Sequence, residues 1–416
     1  VTSNNPRALL RRLFDTAVAA ADPMRCVPAA LPPKPDGRVV VVGAGKASAR
    51  MAEAVEAAWG PCEGLVITRD GYSRPCRGIE IVEASHPVPD ARGRAATTRL
   101  LDLLDGLGPD DTVIALISGG ASALLVQPAG QITLAEKQAI NAALLASGAP
   151  IGEMNIVRKH LRLVKGGQLA SAAWPARMMS LIVSDVAGDD PALIASGPTV
   201  GDRTRPQGAA DILERWSIPV PSSAQDVLSG PRRVLMPDDP RLEAVENRVI
   251  SAPSQSLAAA ADLARSMGCT VEILGDAIEG EARDVAAAHA ATARMRQARG
   301  GHPHLILSGG ECTVTRRGDG VGGPNAEFAL ALALELQGLS GVHALACDTD
   351  GVDGAADIAG AIIGPGTLEQ AQAKGLDPAE ALARNDSHGF FGSIGDQVVT
   401  GPTLTNVNDF RAILVA

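Results

Sequence analysis

Between Arg7 and Ala20 the residues Leu9, Leu10, Leu13, Phe14, Ala17 and Val18 recur at the spacing of one helix face, which predicts an amphipathic first helix. The proline-rich stretch Pro28 to Pro35 is expected to end it. From Arg38 to Val42 the pattern becomes an unbroken β-branched run, suited to a strand buried on both faces, and Ala47 to Ala58 returns to helical spacing. The alternation continues with strands at Leu65 to Thr68, Thr112 to Ile117 and Met178 to Ser184, and helices at Arg94 to Leu104 and Thr133 to Ala146. Strands alternating with helices predict a mainly parallel, doubly wound sheet. Periodicity fades between Ser222 and Pro240, where proline, serine and aspartate accumulate, so the domain boundary is expected there. Beyond it, strands are predicted at Asn247 to Ile250, Thr270 to Leu274, His304 to Leu307 and Val342 to Ala346. Helices are predicted at Gln255 to Met267, Glu281 to Gln297 and Ala326 to Leu336.

The expected fold class is therefore α/β, with a Rossmann-like N-terminal domain over 1–235 and a smaller α/β domain over 236–416. Both parts carry an apolar strand ending in S-G-G, then an acidic loop, then G-P-T. Either an old duplication or two α/β domains with similar anion loops explains that recurrence, and both place the active site in the interdomain cleft.

A formal net charge of -10 repels a polyanion, and 2% aromatic residues leave few stacking platforms, so nucleic acid is not an expected partner. The cysteines Cys26, Cys62, Cys76, Cys269, Cys312 and Cys347 show no C-x-x-C pair, which fits a reduced compartment. Val1 to Pro6 lacks a signal-peptide pattern, and no apolar run approaches the roughly 20 residues of a membrane span. A cytoplasmic protein without membrane contact, monomeric or homodimeric, is the expectation.

The candidate chemistry starts at Val39 to Ser48, V-V-V-V-G-A-G-K-A-S, where a glycine turn joins a strand to a helix start, an arrangement that suits an anion. It is not a Walker A loop, and Ser48 stands where a dinucleotide fingerprint needs its third glycine or alanine. Lys46 adds a point charge that suits phosphate oxygens, against the alternative of a solvated lysine. Ser118-Gly119-Gly120 and Ser308-Gly309-Gly310-Glu311 follow strands and are either phosphate turns or plain turns. Asn155 to Gly167 gathers Arg158, Lys159, His160, Arg162 and Lys165, read either as a solvated charged face or as groups for an anionic substrate with His160 as base. Asp185, Asp189 and Asp190 after an apolar strand suit Mg²⁺ or cap the next helix. Asp350 and Asp353 are alternative metal or substrate residues without the spacing of a calcium loop, and His86 and His388 are loop histidines with substrate contact as one reading.

Taken together, G-A-G-K-A-S (43–48), S-H-P-V-P-D (85–90), S-G-G-A-S-A-L-L (118–125), V-R-K-H-L-R (157–162), K-G-G (165–167), S-D-V-A-G-D (184–189), S-G-P-T (196–199), S-G-G-E (308–311), D-T-D-G-V-D-G (348–354) and T-G-P-T-L-T-N-V-N-D (400–409) resemble the class II glycerate kinases over nearly the whole chain. In that family the C-terminal part is named for a multi-organism fragment with rich leucine, MOFRL-like here from about residue 304. The resemblance implies ATP-dependent phosphorylation of the 2-hydroxyl of D-glycerate with Mg²⁺ or a similar cation. The resulting site assigns Lys46, His160 and Arg158 to catalysis. Gly43, Gly45, Ser48, Ser118, Gly119, Gly120, Ser308, Gly309, Gly310, Glu311 and Asn325 go to nucleotide and phosphate, His86, Lys165, Asp353 and Asn406 to substrate, and Asp185 and Asp189 to metal. Many relatives carry arginine where this chain has Pro324, and Arg158, Lys165 and Arg316 are the candidate replacements. A hydroxypyruvate or tartronate-semialdehyde reductase and a non-catalytic nucleotide sensor are the competing readings.

Overall fold

The computed structural model describes residues 5–301 and 303–416; residues 1–4 of the segment read for a signal peptide lie outside that range. β1 (Val39–Ala44), β2 (Glu63–Arg69), β3 (Ile79–Ala84), β4 (Thr112–Ile117), β5 (Arg177–Val183) and β6 (Val245–Ser251) form a six-stranded sheet in the order β3-β2-β1-β4-β5-β6. β1 runs parallel to β2 and β4, β2 to β3, and β4 to β5. The valine run of β1 is buried throughout, as a strand covered on both faces requires. This is the order of a doubly wound sheet, whose crossovers diverge between β1 and β4 and leave a crevice outside the strands' carboxyl ends. Ala44 pairs with Ile117 at that edge, so the two glycine turns at 45 and 118–120 leave the sheet side by side.

The chain continues through β7 (Thr270–Gly275), β8 (Gly280–Glu281), β9 (His304–Gly310), β10 (Cys312–Thr313), β11 (Val342–Asp348), β12 (Gly360–Ile363), β13 (Gln397–Val398) and β14 (Asp409–Val415). The second large sheet has the order β13-β12-β11-β14-β9-β7, while β8 and β10 pair with each other. β14 lies antiparallel to both β11 and β9, and only β7 and β9 among its neighbours run parallel. The repeated S-G-G and G-P-T landmarks therefore accompany sheets of different topology, which argues against duplication.

Two compact units result: residues Pro23–Ser184 with Asp189–Ile250, and the segment ending at Asp22 with Asp185–Gly188 and Ser251–Ala416. This division differs from the expected boundary between Ser222 and Pro240. Helix Ser222–Ser229 continues the first unit, and β6, read from sequence as a strand of the second domain, closes the first sheet beside β5, where Met178 N donates to Ala244 O at 3.0 Å. The first helix, Pro6–Ala20, also belongs to the other unit than its position suggests. Its face of Leu9, Leu10, Leu13, Phe14 and Ala17 shares a core with Leu257, Leu305, Leu345 and Phe410, and Phe14 and Phe410 lie 5.9 Å apart. That helix ends at Ala20, before the proline-rich stretch, and a short helix Pro23–Ala30 follows with Pro28 inside it. All six cysteines are free thiols. Among the described residues, no helix is long and apolar enough to cross a membrane.

Candidate active site

At the end of β1 the chain turns on Gly45, whose φ of +141° and whose approach to Ser118, 2.0 Å from Oγ to where a Cβ would stand, exclude any side chain. The amides that follow are bonded inside the protein. Gly45 N donates to Ile67 O (3.1 Å), Lys46 N to Gly119 O (2.8 Å) and Ala47 N to Ser118 Oγ (3.0 Å). Ser48 is buried, donates to Leu116 O at 3.0 Å and lies 3.1 Å from Ser118 Oγ. The expectation of a backbone cradle formed by these first amides gives way to a different arrangement: Ser48, Ser118 and Gly119 lock the two glycine turns together, and the loop presents the Lys46 side chain. Gly120, at φ +80°, marks where that side chain runs. A Cβ placed there would stand 3.3 Å from Lys46 Cγ and 3.0 Å from His86 Nε2.

Beside this turn lies a cavity of about 240 Å³ lined by His86, Gly120, Ser122, Lys137, Asn141, Arg158 and Arg162 among others. Three of these side chains are basic, and none of the lining residues is a carboxylate. Lys137 is 3% exposed and its Nζ has no hydrogen-bond partner. Arg158 donates to Asn141 Oδ1 (3.0 Å) and Asn155 Oδ1 (3.2 Å), and Arg162 to Ser122 O (2.6 Å). Lys165, fully buried, donates to Ala195 O at 2.8 Å. Burial, then the charges of Arg162 and Arg158, push Lys137 down to about 6. Burial and Arg158 push Arg162 down to about 9, and burial followed by Arg162, Lys137 and Arg158 holds Lys165 well below the usual lysine range. A guanidinium keeps its charge at neutral pH, so the lysines are the groups that give up protons. Every partner these four groups have here is a neutral oxygen, which leaves a positively biased pocket suited to a small anion.

Lys137 was not singled out from sequence, although a signal exists. It occupies the buried stripe of helix Leu134–Ser147 with Ile140 and Leu144, an apolar position where a lysine is out of place. Arg158 lines the pocket, and Lys165 is buried close enough to feel the Lys137 charge. His160 does not line it. It points to Thr204 Oγ1 at 3.1 Å, beside the buried Lys159–Asp202 ion pair at 2.5 Å, and burial pushes it down to about 4.

The acidic loop is divided. Asp185 belongs to the second unit, where Asn406 Nδ2 donates to its Oδ2 (3.2 Å) and Asn408 Nδ2 to its carbonyl (2.6 Å). Asp189 belongs to the first, holds φ +54°, and has a buried Oδ1 with no partner. Asp190 accepts from Ala192 N at 2.9 Å, a turn role. Among the described residues, no three His, Cys, Asp or Glu side chains gather as a metal cluster.

In the second unit the predicted residues are largely occupied by the fold. Ser308 Oγ meets His289 Nε2 at 2.9 Å, Gly309 O accepts from Arg411 (3.2 Å) and Ile278 N (3.2 Å), and Glu311 is exposed. Asp353, fully buried, accepts from Asn325 N (2.9 Å) and Ala326 N (2.8 Å) and faces His388 Nε2 at 3.2 Å. It thus caps helix Pro324–Leu336 from a distant loop, and Asn325 Nδ2 extends the network to Asp409 Oδ1 at 2.6 Å. Burial raises Asp409 even though Arg411 pairs with it. Asn325 Oδ1, His388 Nδ1 and Arg411 Nε stay unpartnered there. Arg316 is exposed and bonds to the carbonyls of Gly318 and Gly320 in its own loop.

A parallel α/β unit with paired glycine turns beside a pocket lined by basic side chains defines the class, an α/β protein of the doubly wound kind. Residues 9–229 match a model described as a domain of unknown function (DUF4147), and residues 304–409 match the MOFRL family. The chain is 38% identical to D-glycerate 2-kinase of Thermotoga maritima over 97% of both chains. It is 52% identical to a protein of Agrobacterium vitis named putative hydroxypyruvate reductase, over 98% of this chain and 94% of that one. The crystal structure of glycerate kinase from Thermotoga maritima matches with a TM-score of 0.88 at 36% identity, covering 98% of this chain and 99% of that chain. The chain belongs to the glycerate kinase family with DUF4147 and MOFRL domains.

Proposed function

We propose that this protein transfers the γ-phosphoryl group of ATP to the 2-hydroxyl of D-glycerate, giving 2-phosphoglycerate and ADP. The observation that carries the reading is the Lys46 loop, held against the Gly120 turn beside a cavity whose cations have no carboxylate partner. Phosphoryl transfer needs positioning and charge neutralisation more than covalent chemistry. An acid held by the basic side chains of the cavity has its hydroxyl end free to face the Gly120 turn, which Lys46 and His86 both approach. The Lys46 ammonium neutralises oxygens of the transferring group, and His86 is the imidazole placed to receive the hydroxyl proton.

A bound Mg²⁺ would supply charge neutralisation for the nucleotide phosphates. Asp189 fits that ion, since its buried Oδ1 has no partner and magnesium sites commonly take one or two carboxylates beside phosphates and water. Of the three candidate replacements for an arginine at Pro324, Arg158 lines the pocket, whereas Arg316 bonds within its own exposed loop.

The name of the Agrobacterium vitis relative favours a reductase as second reading. The amides of Lys46 and Ala47 are bonded internally, which leaves this turn few donors for the pyrophosphate of a dinucleotide and weighs against that reading. Purified protein with ATP, Mg²⁺ and D-glycerate is expected to release ADP and form a phosphate ester on carbon 2, assigned by phosphorus–proton coupling. Oxidation of NADH with hydroxypyruvate and no ADP release with glycerate would exchange the two readings, and absence of both turnovers would leave a sensor.

A further inference from the structure

We propose that Lys137, Arg158 and Arg162 form the subsite for the carboxylate of a small hydroxy acid, and that Lys137 takes up a proton from solution when the acid binds. The inference rests on the acid half of the proposed reaction and not on phosphoryl transfer. A lysine that served only packing would be better replaced by methionine or leucine, because a buried amine without a partner is unfavourable and two neighbouring guanidinium groups add repulsion. Ile140 and Leu144 anchor the same face of helix Leu134–Ser147 in the core, so the backbone holds Lys137 in this position. A carboxylate entering the pocket satisfies the ammonium and offers the arginine forks the acceptor geometry they match.

The groups around Lys137 define the charge balance. Helix Ile151–His160 brings Arg158, the segment after it brings Arg162, and Lys165 lies buried close enough for the two lysine charges to repel. The loop after β3 contributes His86, and the turn Gly120–Ala123 contributes no titratable side chain. In the empty pocket Lys137, at about 6, is neutral at pH 7.5. Binding an anion restores the charge, so a proton is drawn from solution. Above pH 6 the affinity then falls as pH rises, by up to about tenfold per unit, until the raised value in the complex is reached.

Isothermal titration of the full chain with D-glycerate at pH 7.5, in buffers of different ionisation enthalpy and with a non-hydrolysable ATP analogue present, reads both quantities. Uptake of about one proton is expected, while glycerol and glyceramide do not bind. Lys137→Met is expected to weaken glycerate about 100-fold, abolish the proton uptake and leave ADP affinity within about twofold, with an unchanged or higher melting temperature. Lys137→Gln repeats the test should the methionine variant fold poorly, and His86→Gln should keep the proton uptake. Unchanged glycerate affinity and uptake in the Lys137 variants, or no glycerate binding by the wild type, would overturn the proposal. Loss of ADP with glycerate retained would overturn it too, by assigning the pocket to nucleotide phosphate. Glycerate binding with proton uptake but without phosphorylation would sustain the subsite and sink the kinase reading.

Discussion

Lys46 and Lys137 illustrate how differently a functional lysine announces itself. Lys46 follows a glycine turn after a buried strand, a local pattern visible in six consecutive letters. Lys137 sits alone among helical residues, and only the packing of Arg158 and Arg162 beside it reveals its chemistry. Lys46→Met is expected to lower kcat for ADP release by about 10²- to 10³-fold, the usual loss for one charge-stabilising group, with the melting temperature and glycerate affinity little changed. His160 should behave in the opposite way. His160→Gln is expected to leave kcat within about threefold, since its ring meets Thr204 and not the cavity. Helix geometry already sets His160 about 200° round from Arg158, but which of the two sides faces a cavity depends on what packs there. Next to it, burial raises Asp202, but hydrogen bonds from Lys159 and Thr204 outweigh this and bring it down to about 2. A carboxylate depressed in the folded state contributes stability that is present above its ordinary value of 3.8 and is lost as pH falls through about 2. Lys159→Met, which leaves Asp202 without its cation, should destabilise by about 3 kcal/mol in urea unfolding at pH 7, and by much less near pH 2.

Among the elements, the helix Pro324–Leu336 shows how a motif read as ligand-binding can serve the fold. Its start has no side-chain cap of its own, Pro324 takes the first-turn position where the missing N–H matters least, and Asp353 reaches in from another loop to accept from the next two amides. Removing this carboxylate also takes the side-chain acceptor from His388 and one of the two acceptors from the Asn325 amide. Asp353→Ala should therefore destabilise by more than the ~1 kcal/mol of an ordinary cap, about 2–4 kcal/mol in urea unfolding, while Asp353→Asn retains part of it. An aspartate in D-G-V-D-G looks the same in the sequence whether it caps a helix or holds a substrate. β14 was equally hard to read. Arg411 interrupts its apolar run, and its pairing with Asp409 and bond to Gly309 O inside the sheet make a buried arginine there acceptable.

For the molecule as a whole, the assignment of the first helix matters most. Phe14→Ala should open a cavity in the core shared with Phe410 and destabilise by about 3–5 kcal/mol. Hydrogen exchange should then rise in β11 and β14, the strands that this helix covers, more than in β1 and β4. Equal acceleration in both sheets, or none, would refute that placement. What the sequence determined by itself was whatever local repetition encodes: the amphipathic helices, the valine strand, the glycine turn that follows it, and the family blocks spread along the chain. Tertiary structure alone decided which sheet took Val245–Ser251, which core took the first helix, and which of several aspartates, histidines and lysines faced a cavity. The reason is physical. A hydrophobic period specifies that a face is buried without naming the surface that buries it, and the chemistry of a charged side chain depends on neighbours that the fold brings from distant positions.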